Sequence, residues 1–256
     1  MSNNEKEHKN KGLNIIFKQK IKFKLKLCQN ISNKLKTWET NGMSEPSYKA
    51  FSRCVKEYDS WYENNILFKN ELAALGVLGY PSRYSIEIGV GTGRFAQRLC
   101  IPFGLEPAKD AAIVAKTRGV NVIVGKAEQM PITDQSFEWV YFIFSLCFVQ
   151  NQKKAIEEAV RILKKGGRLV IGFVPKDSPW GKLYAKKGKK GHPLYRYAKF
   201  FTPKQLDSWV ESLGLKRHET ISSLIFLPEE EPYPKQPPVE QLIEKAGFIV
   251  KSYINI

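Results

Sequence analysis

The residues best suited to bind a ligand lie in a glycine-rich segment in the first half of the chain. Glu87 stands at the end of a predicted strand, and Gly89, Gly91 and Gly93 follow at alternate positions. Glycines let the backbone turn sharply and let a ligand approach it closely. The third glycine comes one residue earlier than in the dinucleotide fingerprint, which weakens a nicotinamide or flavin interpretation. The segment indicates a nucleotide-like ligand, and a purely structural turn is the alternative.

Two further acidic segments follow at later strand ends. Glu106, followed by Pro107, lies 17 residues after Gly89. An acid near this distance can accept hydrogen bonds from both hydroxyls of a ribose, and the alternative is an exposed acid at a helix start. After the next strand, Ala127-Glu128 offers backbone amides and a carboxylate to a purine edge.

The elements that must position these residues alternate between strand and helix. We predict strands at about 84–88, 102–106, 120–124, 137–144 and 168–174, and helices near 93–100, 107–117, 151–164 and 203–213. Residues 120–124 are almost continuously apolar, as in parallel strands covered on both faces. The alternation predicts a doubly wound α/β domain, in which ligands bind beyond the carboxyl ends of the strands. Two β-rich segments, 215–227 and 247–256, follow.

Length and charge limit the organisation of the chain. Its 256 residues are 43% hydrophobic, enough for one packed domain over residues 43–256. The net charge is +16, and residues 1–42 hold ten lysines against three glutamates. We predict that residues 1–42 are a disordered basic extension, with a nucleic-acid-binding or membrane-surface arm, or a true start at Met43, as alternatives. A basic balance permits nucleic acid, acidic membrane or anionic substrate as partner.

Targeting and metal signals are not found in the sequence. No stretch has the apolar run of a signal peptide or a transmembrane helix. The four cysteines lack the C-x-x-C or Cys/His spacing of a metal site. We therefore expect reduced thiols, no metal, and a cytoplasmic protein without a transmembrane segment.

Taken together in this order, these segments resemble the class I S-adenosylmethionine-dependent methyltransferases, in the small-molecule branch called methyltransferase type 11. The resemblance covers roughly residues 50–215 and rests on Glu87–Phe95, Leu105-Glu106-Pro107, Ala127-Glu128, Ser136-Phe137 and Leu163–Leu169. It implies a Rossmann-like methyltransferase fold: a mostly parallel seven-stranded sheet with helices on both faces and an antiparallel C-terminal strand. It also implies S-adenosylmethionine as the cofactor.

The resemblance assigns roles to residues at the strand ends. Gly89 and Gly91 would pass under the methionine part of the cofactor, and Glu87 would orient its amino group. Glu106 would hold the ribose, whereas the segments after the third and fourth strands would flank the adenine and the transferred methyl group. The full set of predicted cofactor residues is Glu87, Gly89, Val90, Gly91, Glu106, Pro107, Ala127, Glu128, Ser145 and Leu146.

Three positions depart from the family pattern. Lys126 stands where an aspartate is common, which puts an adenine amino-group contact there in doubt. Glu138 replaces a frequent aspartate. Cys147-Phe148 occupies a place where some relatives carry histidines, so a catalytic base cannot be transferred from them.

Two regions are candidates for the acceptor side. One is a helical cap at residues 48–78, and the other is a lysine-rich, aromatic segment at residues 175–202 that suits a mobile lid. The substrate-binding candidates are Tyr58, Trp61, Trp180, Tyr184 and Tyr195. His192 and Tyr58 are the candidates for a general base, although no catalytic residue is assigned. Packing in the core and a solvated basic loop are the alternatives.

The predicted function is methyl transfer to a small-molecule acceptor by direct displacement, which needs no covalent nucleophile. One alternative is a methyltransferase that modifies RNA or another nucleic acid. No RNA-binding module is recognisable, and Ser145-Leu146-Cys147-Phe148 differs from an Asn-Pro-Pro-Tyr motif. The other alternative is a non-catalytic regulator that binds S-adenosylmethionine. The sequence identifies neither the acceptor nor the oligomeric state.

Overall fold

A computed structural model of the protein describes residues 46–256, so the basic segment 1–42 lies outside the described residues. The seven strands of this part are β1 Ser85–Ile88, β2 Phe103–Glu106, β3 Asn121–Val124, β4 Phe137–Ile143, β5 Leu163–Phe173, β6 Leu215–Ser223 and β7 Phe248–Asn255. Its α-helices are α1 Ser47–Arg53, α2 Val55–Trp61, α3 Ile66–Gly76, α4 Arg94–Leu99, α5 Lys109–Thr117, α6 Gln152–Ile162, α7 Pro179–Lys189 and α8 Pro203–Glu211.

The strands form one sheet in the order β3-β2-β1-β4-β5-β7-β6. Strands β1 to β5 pair in parallel, and β7 lies antiparallel between β5 and β6. The strand order reverses between β1 and β4, which is the position where open α/β sheets bind ligands. The predicted doubly wound fold is confirmed, including its antiparallel C-terminal strand.

Helices cover both faces of the sheet because successive residues of a strand point to opposite faces, and both sets of side chains are apolar. Ile86 of β1 and Ile171 of β5 belong to one buried cluster, together with apolar residues of α6 and α8. Tyr141 of β4 and Val170 of β5 point the other way, into a second cluster that includes residues of α3 and α4. Two-sided burial holds for the central strand β1, which is buried at every residue. For β3 the expectation from residues 120–124 is wrong, because β3 lies at the edge of the sheet and its Asn121 and Val124 are exposed.

The start of β5 differs from the prediction. The sequence predicted a helix to about 164 and a strand from 168, whereas α6 ends at Ile162 and β5 begins at Leu163. Leu163 pairs with Phe137, and Arg168 pairs with Trp139, with a register shift between them. The intervening glycines therefore form part of an irregular strand rather than a separate turn.

The segment predicted as a mobile lid contains a helix that the sequence prediction missed. Ser178 caps α7 by accepting a hydrogen bond from the Gly181 amide at 3.0 Å, and Pro179 occupies the first turn. Trp180 is buried, and its indole N–H donates to the Phe226 carbonyl at 2.9 Å. The tryptophan anchors the start of this segment. None of the helices in residues 46–256 is long and apolar enough to cross a membrane.

Candidate functional site

A cavity lies at the carboxyl ends of β1, β2 and β4 and has two walls. We call one the strand-end wall; it is formed by Gly89, Gly91, Glu106, Pro107, Ala127, Glu128 and Ser145. We call the other the helical wall; it is formed by Ser47, Tyr48 and Phe51 of α1 and by Val55 and Tyr58 of α2. The cavity therefore lies between the carboxyl edge of the sheet and the N-terminal helices.

The glycines of the turn after β1 have separate roles in the strand-end wall. Both Gly89 and Gly91 have positive φ angles, +72° and +56°. A Cβ atom added to Gly89 would lie 2.5 Å from the Cβ of Ser145, so only glycine lets the segment after β4 come this close. A Cβ added to Gly91 would meet no atom within 4 Å. The space beside Gly91 is thus open to a ligand.

Glu106 joins the end of β2 to the glycine turn. Its carboxylate accepts hydrogen bonds from the Gly91 amide and the Ala108 amide, each at 2.8 Å. Burial raises the pKa of Glu106, and the two amide hydrogen bonds oppose that rise. The carboxylate is held in one orientation at the cavity surface, where it has lone pairs left for a ligand.

Glu87 is buried beside the site without a complete set of partners. It is 2% exposed, and its Oε2 atom has no hydrogen-bond partner within the described part of the chain. Burial raises its pKa well above the usual range. Glu87 does not line the cavity. A buried acceptor atom of this kind suits an N–H donor.

An ion-pair cluster fixes α2 to the elements around the glycine turn. The Asp59 carboxylate accepts hydrogen bonds from Arg94 at 2.9 and 2.5 Å and from Arg118 at 2.7 Å. Arg118 also donates to the Thr92 carbonyl at 2.5 Å. Burial alone would raise the pKa of Asp59, yet the two arginines hold it well below its usual range. The cluster holds the helical wall against the strand-end wall.

The helical wall also contacts the segment that follows β4. The Ser47 hydroxyl donates to the Phe148 carbonyl at 2.8 Å, and the rings of Phe51 and Phe148 lie 5.0 Å apart. Phe148 ends the short 3-10 helix Leu146–Phe148. Contacts at both ends therefore close α1 and α2 over the cavity.

The two candidates for a general base lie in different surroundings. The Tyr58 hydroxyl is 2.6 Å from the Tyr62 hydroxyl. The pKa of Tyr58 is raised, mainly by burial. His192 does not line the cavity; its Nδ1 atom accepts from the amides of Leu194 and Tyr195, at 3.3 Å each. No group of three metal-ligating side chains is present among residues 46–256.

The structure brings part of the predicted set together. The predicted residues that line the cavity are Gly89, Gly91, Glu106, Pro107, Ala127, Glu128, Ser145 and Tyr58. Those that do not line it are Glu87, Val90, Leu146, Trp61, Trp180, Tyr184 and Tyr195. Val90 and Leu146 are buried behind it, and Trp180 is buried in the core.

Sequence reasoning did not single out several lining residues of the N-terminal helices. Tyr48, Phe51 and Val55 line the cavity together with Tyr58. Their spacing of three and four residues is the signal of one helical face, and it was available in the sequence. The sequence predicted a helical cap at residues 48–78 as a candidate for the acceptor side, but packing in the core stayed the alternative for its aromatic residues.

Comparison with known proteins connects this geometry to a family. A family model described as "Methyltransferase domain" matches residues 86–171. An uncharacterized protein of Methanocaldococcus jannaschii is 40% identical over 176 residues, which are 68% of this chain and 85% of that protein. An uncharacterized protein of Mycobacterium tuberculosis is 38% identical over 175 residues, but the match spans only 61% of its length.

A solved structure from Thermotoga maritima is 35% identical, with a TM-score of 0.76, and the match covers 82% of this chain and 100% of that one. That protein is described as a SAM-dependent methyltransferase, possible histamine N-methyltransferase. The chain belongs to the class I S-adenosylmethionine-dependent methyltransferases. Within them it falls in the type 11 branch, and both the family resemblance and the predicted fold are confirmed.

The cofactor of this methyltransferase is S-adenosylmethionine, and three observations in and behind the strand-end wall fit it. The space beside Gly91 is open. The Glu106 carboxylate is fixed at the cavity surface by two amides. Glu87 has a buried acceptor atom without a partner. An adenosine and an amino acid moiety supply the hydroxyl and N–H donors that these groups lack.

Proposed function

We propose that this methyltransferase transfers a methyl group to a small-molecule acceptor. The observation that carries the proposal is the closure of α1 and α2 over the cavity. The Asp59 ion pairs hold one side of the helical wall, and the Ser47 and Phe51 contacts to Phe148 hold the other. A cavity covered in this way admits a small molecule more readily than a base within a nucleic acid strand.

We further propose the roles of the cofactor-binding residues. Glu106 accepts hydrogen bonds from the ribose hydroxyls, and Glu87 accepts from the amino group of the methionine part. The segment Ala127-Glu128 flanks the adenine; Glu128 also accepts a hydrogen bond from the Gln150 amide at 2.8 Å, which fixes its carboxylate. Ser145 and Leu146 lie on the side of the transferred methyl group. Leu146 acts from behind the surface, since it is buried.

The bound cofactor supplies an electrophilic methyl group on a sulfonium, and the protein supplies position and electrostatics. The residues of the helical wall exclude water from the cavity. Tyr58 contributes a neutral hydroxyl, as tyrosines do near neutral pH, and burial raises its pKa further. In this role it is a hydrogen-bonding and positioning group, and no residue is assigned as the base.

The proposal can be tested by supplying the purified protein with S-adenosylmethionine that carries a labelled methyl group. A low-molecular-weight extract, total RNA and total protein serve as acceptors in separate reactions. We expect label in the small-molecule fraction only. Label in RNA would favour the nucleic-acid alternative, and cofactor binding without transfer to any fraction would favour the regulator. The cytoplasmic location and the basic extension stay predictions.

A further inference from the structure

The cavity has two ends, and the helical wall reaches both of them. At one end, the Lys126 ammonium lies 5.8 Å from the centre of the Tyr48 ring. Lys126 directly precedes Ala127-Glu128, the segment that flanks the adenine in the proposed function. At the other end, the Phe51 ring lies 5.0 Å from the ring of Phe148, in the segment that follows β4. Tyr48 therefore belongs to the adenine end, and Phe51 to the end where the methyl group would be transferred.

Apolar side chains converge at the Phe51 end of the cavity. We call Phe51, Val55, Tyr58, Phe144 and Phe148 the apolar subsite; all five line the cavity. The Phe51 ring meets the Tyr58 ring edge-on at 5.4 Å and the Phe148 ring edge-on at 5.0 Å. Phe144 immediately precedes Ser145, the residue proposed to lie beside the methyl group. Two covering helices and the segment after β4 thus supply one apolar surface.

The exposure of the apolar subsite separates its rings from those that pack in the core. All five of its residues are partly exposed. The rings of Tyr62, Phe68 and Phe95 connect Tyr58 to Phe144 through successive ring contacts, and they are 7%, 6% and 5% exposed. Accessible apolar surface inside a cavity is typical of a ligand site, whereas core packing buries such surface.

The charged residues that line the cavity come from another part of the sheet. Within residues 46–256 they are Glu106, which ends β2, and Lys126 and Glu128, which follow β3. Phe144 and Phe148 of the apolar subsite follow β4. Strand β1 lies between β4 and the pair β2 and β3 in the sheet. In the described part of the chain, the apolar subsite therefore offers no counter-ion to a charged ligand group.

These surroundings favour one chemical class of ligand. Apolar rings gain free energy when they leave water, and edge-to-face ring contacts add to that gain. An ammonium, carboxylate or phosphate that leaves water needs a partner of opposite charge, and the attraction of an ammonium to aromatic faces is smaller than the cost of burying it unpaired. The Tyr58 hydroxyl, 2.6 Å from that of Tyr62, can form a hydrogen bond with a neutral polar group.

We propose that the apolar subsite binds the acceptor, and that the acceptor is an uncharged molecule with an apolar ring. This inference rests on the proposed function, because it names the class of the small-molecule acceptor. The rings of Phe51 and Phe148 enclose the ring of the acceptor, and the Tyr58 hydroxyl forms a hydrogen bond with a polar group on it.

Calorimetry on the full chain saturated with S-adenosylhomocysteine, near neutral pH, tests the proposal. The uncharged probes are 2-naphthol and the smaller 4-methylphenol. The charged probes are 2-naphthoate and 2-naphthylmethylamine, which carry a negative and a positive group on the larger ring. We expect at least one uncharged probe to bind, and both charged probes to bind at least about tenfold more weakly than it. If neither uncharged probe binds, or if a charged probe comes closer than about tenfold, the proposal is overturned.

Substitutions at Phe51 then locate the effect. Phe51→Ala should weaken the binding of the uncharged probe at least about tenfold, and Phe51→Leu, which keeps an apolar side chain, should retain most of the affinity. Both variants should bind S-adenosylhomocysteine within about threefold of wild type, because Tyr48 and not Phe51 lies at the adenine end. Tyr80→Ala, at a position that is 93% exposed and outside the cavity, is the control and should change neither affinity.

Two outcomes of these substitutions would overturn the proposal. If Phe51→Ala binds the uncharged probe at the wild-type affinity, the probe does not lie in the apolar subsite. If Phe51→Ala weakens the binding of S-adenosylhomocysteine as much as that of the probe, the subsite covers the cofactor instead of the acceptor. Should Phe51→Ala fail to fold, Phe148→Ala makes the same test from the segment after β4.

The failure of this inference can be told apart from a failure of the proposed function. The labelled products of the low-molecular-weight extract are passed over anion and cation exchangers near neutral pH. If wild type places label only in products that an exchanger retains, the uncharged acceptor is wrong and the small-molecule function stands. If wild type transfers no label to that extract, the proposed function fails, whatever the calorimetry shows.

Discussion

The strand-end wall and the helical wall of the cavity differ in the groups they present to a ligand. The strand-end wall offers glycine backbone and a carboxylate, Glu106, that two amides hold in place. The helical wall offers aromatic side chains, those of Tyr48, Phe51 and Tyr58. The strand-end wall thus presents backbone and a fixed carboxylate, whereas the helical wall presents aromatic rings.

The difference shows how the fold separates two kinds of recognition. Backbone groups at strand ends are fixed by the pairing of the sheet, so they suit one constant ligand, the cofactor. Side chains on the covering helices can change without disturbing the sheet. They therefore suit the part of the reaction that distinguishes one methyltransferase from another.

The largest effect is expected from a substitution that fills the space at the strand-end wall. Gly91→Val should lower the affinity for S-adenosylmethionine more than about a hundredfold, since the new side chain projects into the open space beside the turn. Calorimetry measures the loss.

Gly79→Val is the matched control for this substitution. Gly79 also has a positive φ, +84°, with no atom within 4 Å of an added Cβ, but it is exposed and lies away from the cavity. Both variants should lose about 1 to 2 kcal/mol of stability from backbone strain, and only Gly91→Val should lose the cofactor. Equal cofactor affinity in the two variants would contradict the assigned site.

The second prediction concerns Glu71 of α3, a buried acid outside both walls whose Oε2 atom has no hydrogen-bond partner in residues 46–256. Folding raises the pKa of Glu71 from 4.5 to about 8, so the folded state favours the protonated form. The contribution of Glu71 to the free energy of unfolding is fully present below about pH 4.5, and it is lost as the pH rises through about 8. Glu71→Gln lacks this titration. Between pH 5 and pH 8, the free energy of unfolding of wild type should therefore fall by about 3 to 4 kcal/mol more than that of Glu71→Gln.

Urea unfolding of the ligand-free protein at the two pH values measures this effect. Glu57→Gln makes the same substitution at an exposed position of α2 and should follow the wild-type pH dependence. If wild type and Glu71→Gln lose stability in parallel between the two pH values, Glu71 does not titrate as its burial requires.

The third prediction concerns the ion pairs that join the two walls. Asp59→Asn leaves the Arg94 and Arg118 guanidinium groups, whose side chains are 19% and 16% exposed, without their carboxylate. We expect a loss of about 2 kcal/mol in the free energy of unfolding and a weaker affinity for S-adenosylmethionine.

Urea unfolding and calorimetry measure the two quantities. Glu63 is the other acidic partner of Arg94, and the Glu63 side chain is 64% exposed. Glu63→Gln should therefore lower the free energy of unfolding by less than about 0.5 kcal/mol. A similar loss of stability in both variants would mean that Asp59 does not hold the walls together.

The smallest expected effect is that of Tyr58→Phe. The variant keeps the ring but leaves the Tyr62 hydroxyl without its partner at 2.6 Å, which should cost about 1 kcal/mol of stability. The rate of methyl transfer to the low-molecular-weight extract should fall less than about tenfold, because the neutral hydroxyl positions rather than removes a proton. A loss of about a hundredfold would instead make Tyr58 a catalytic residue.

The strand-end wall could be predicted from the sequence because each of its segments is short and contiguous. The glycine turn, Glu106 and Ala127-Glu128 each follow a strand with a clear apolar pattern. Parallel pairing then brings consecutive strand ends to one edge. The start of β5 was not predicted, since a register shift inside a strand has no simple sequence pattern.

The helical wall could not be predicted to the same extent because its contacts join distant residues. Asp59 pairs with arginines that lie 35 and 59 positions further along the chain. Trp180 of α7 is anchored to a carbonyl 46 positions away, whereas the lysines and glycines around it favoured a loop. Glu71 was not singled out, since nothing local shows that this side of α3 is enclosed.

The position of β7 has a consequence for the order in which the molecule assembles. The strands β1 to β5 can pair as soon as they leave the ribosome, because each new strand joins one already made. Strand β6 is synthesised before β7 but contacts the sheet only through it. Strand β6 can therefore join the sheet only after β7 has been synthesised, and until then its backbone groups are open to pairing with another chain.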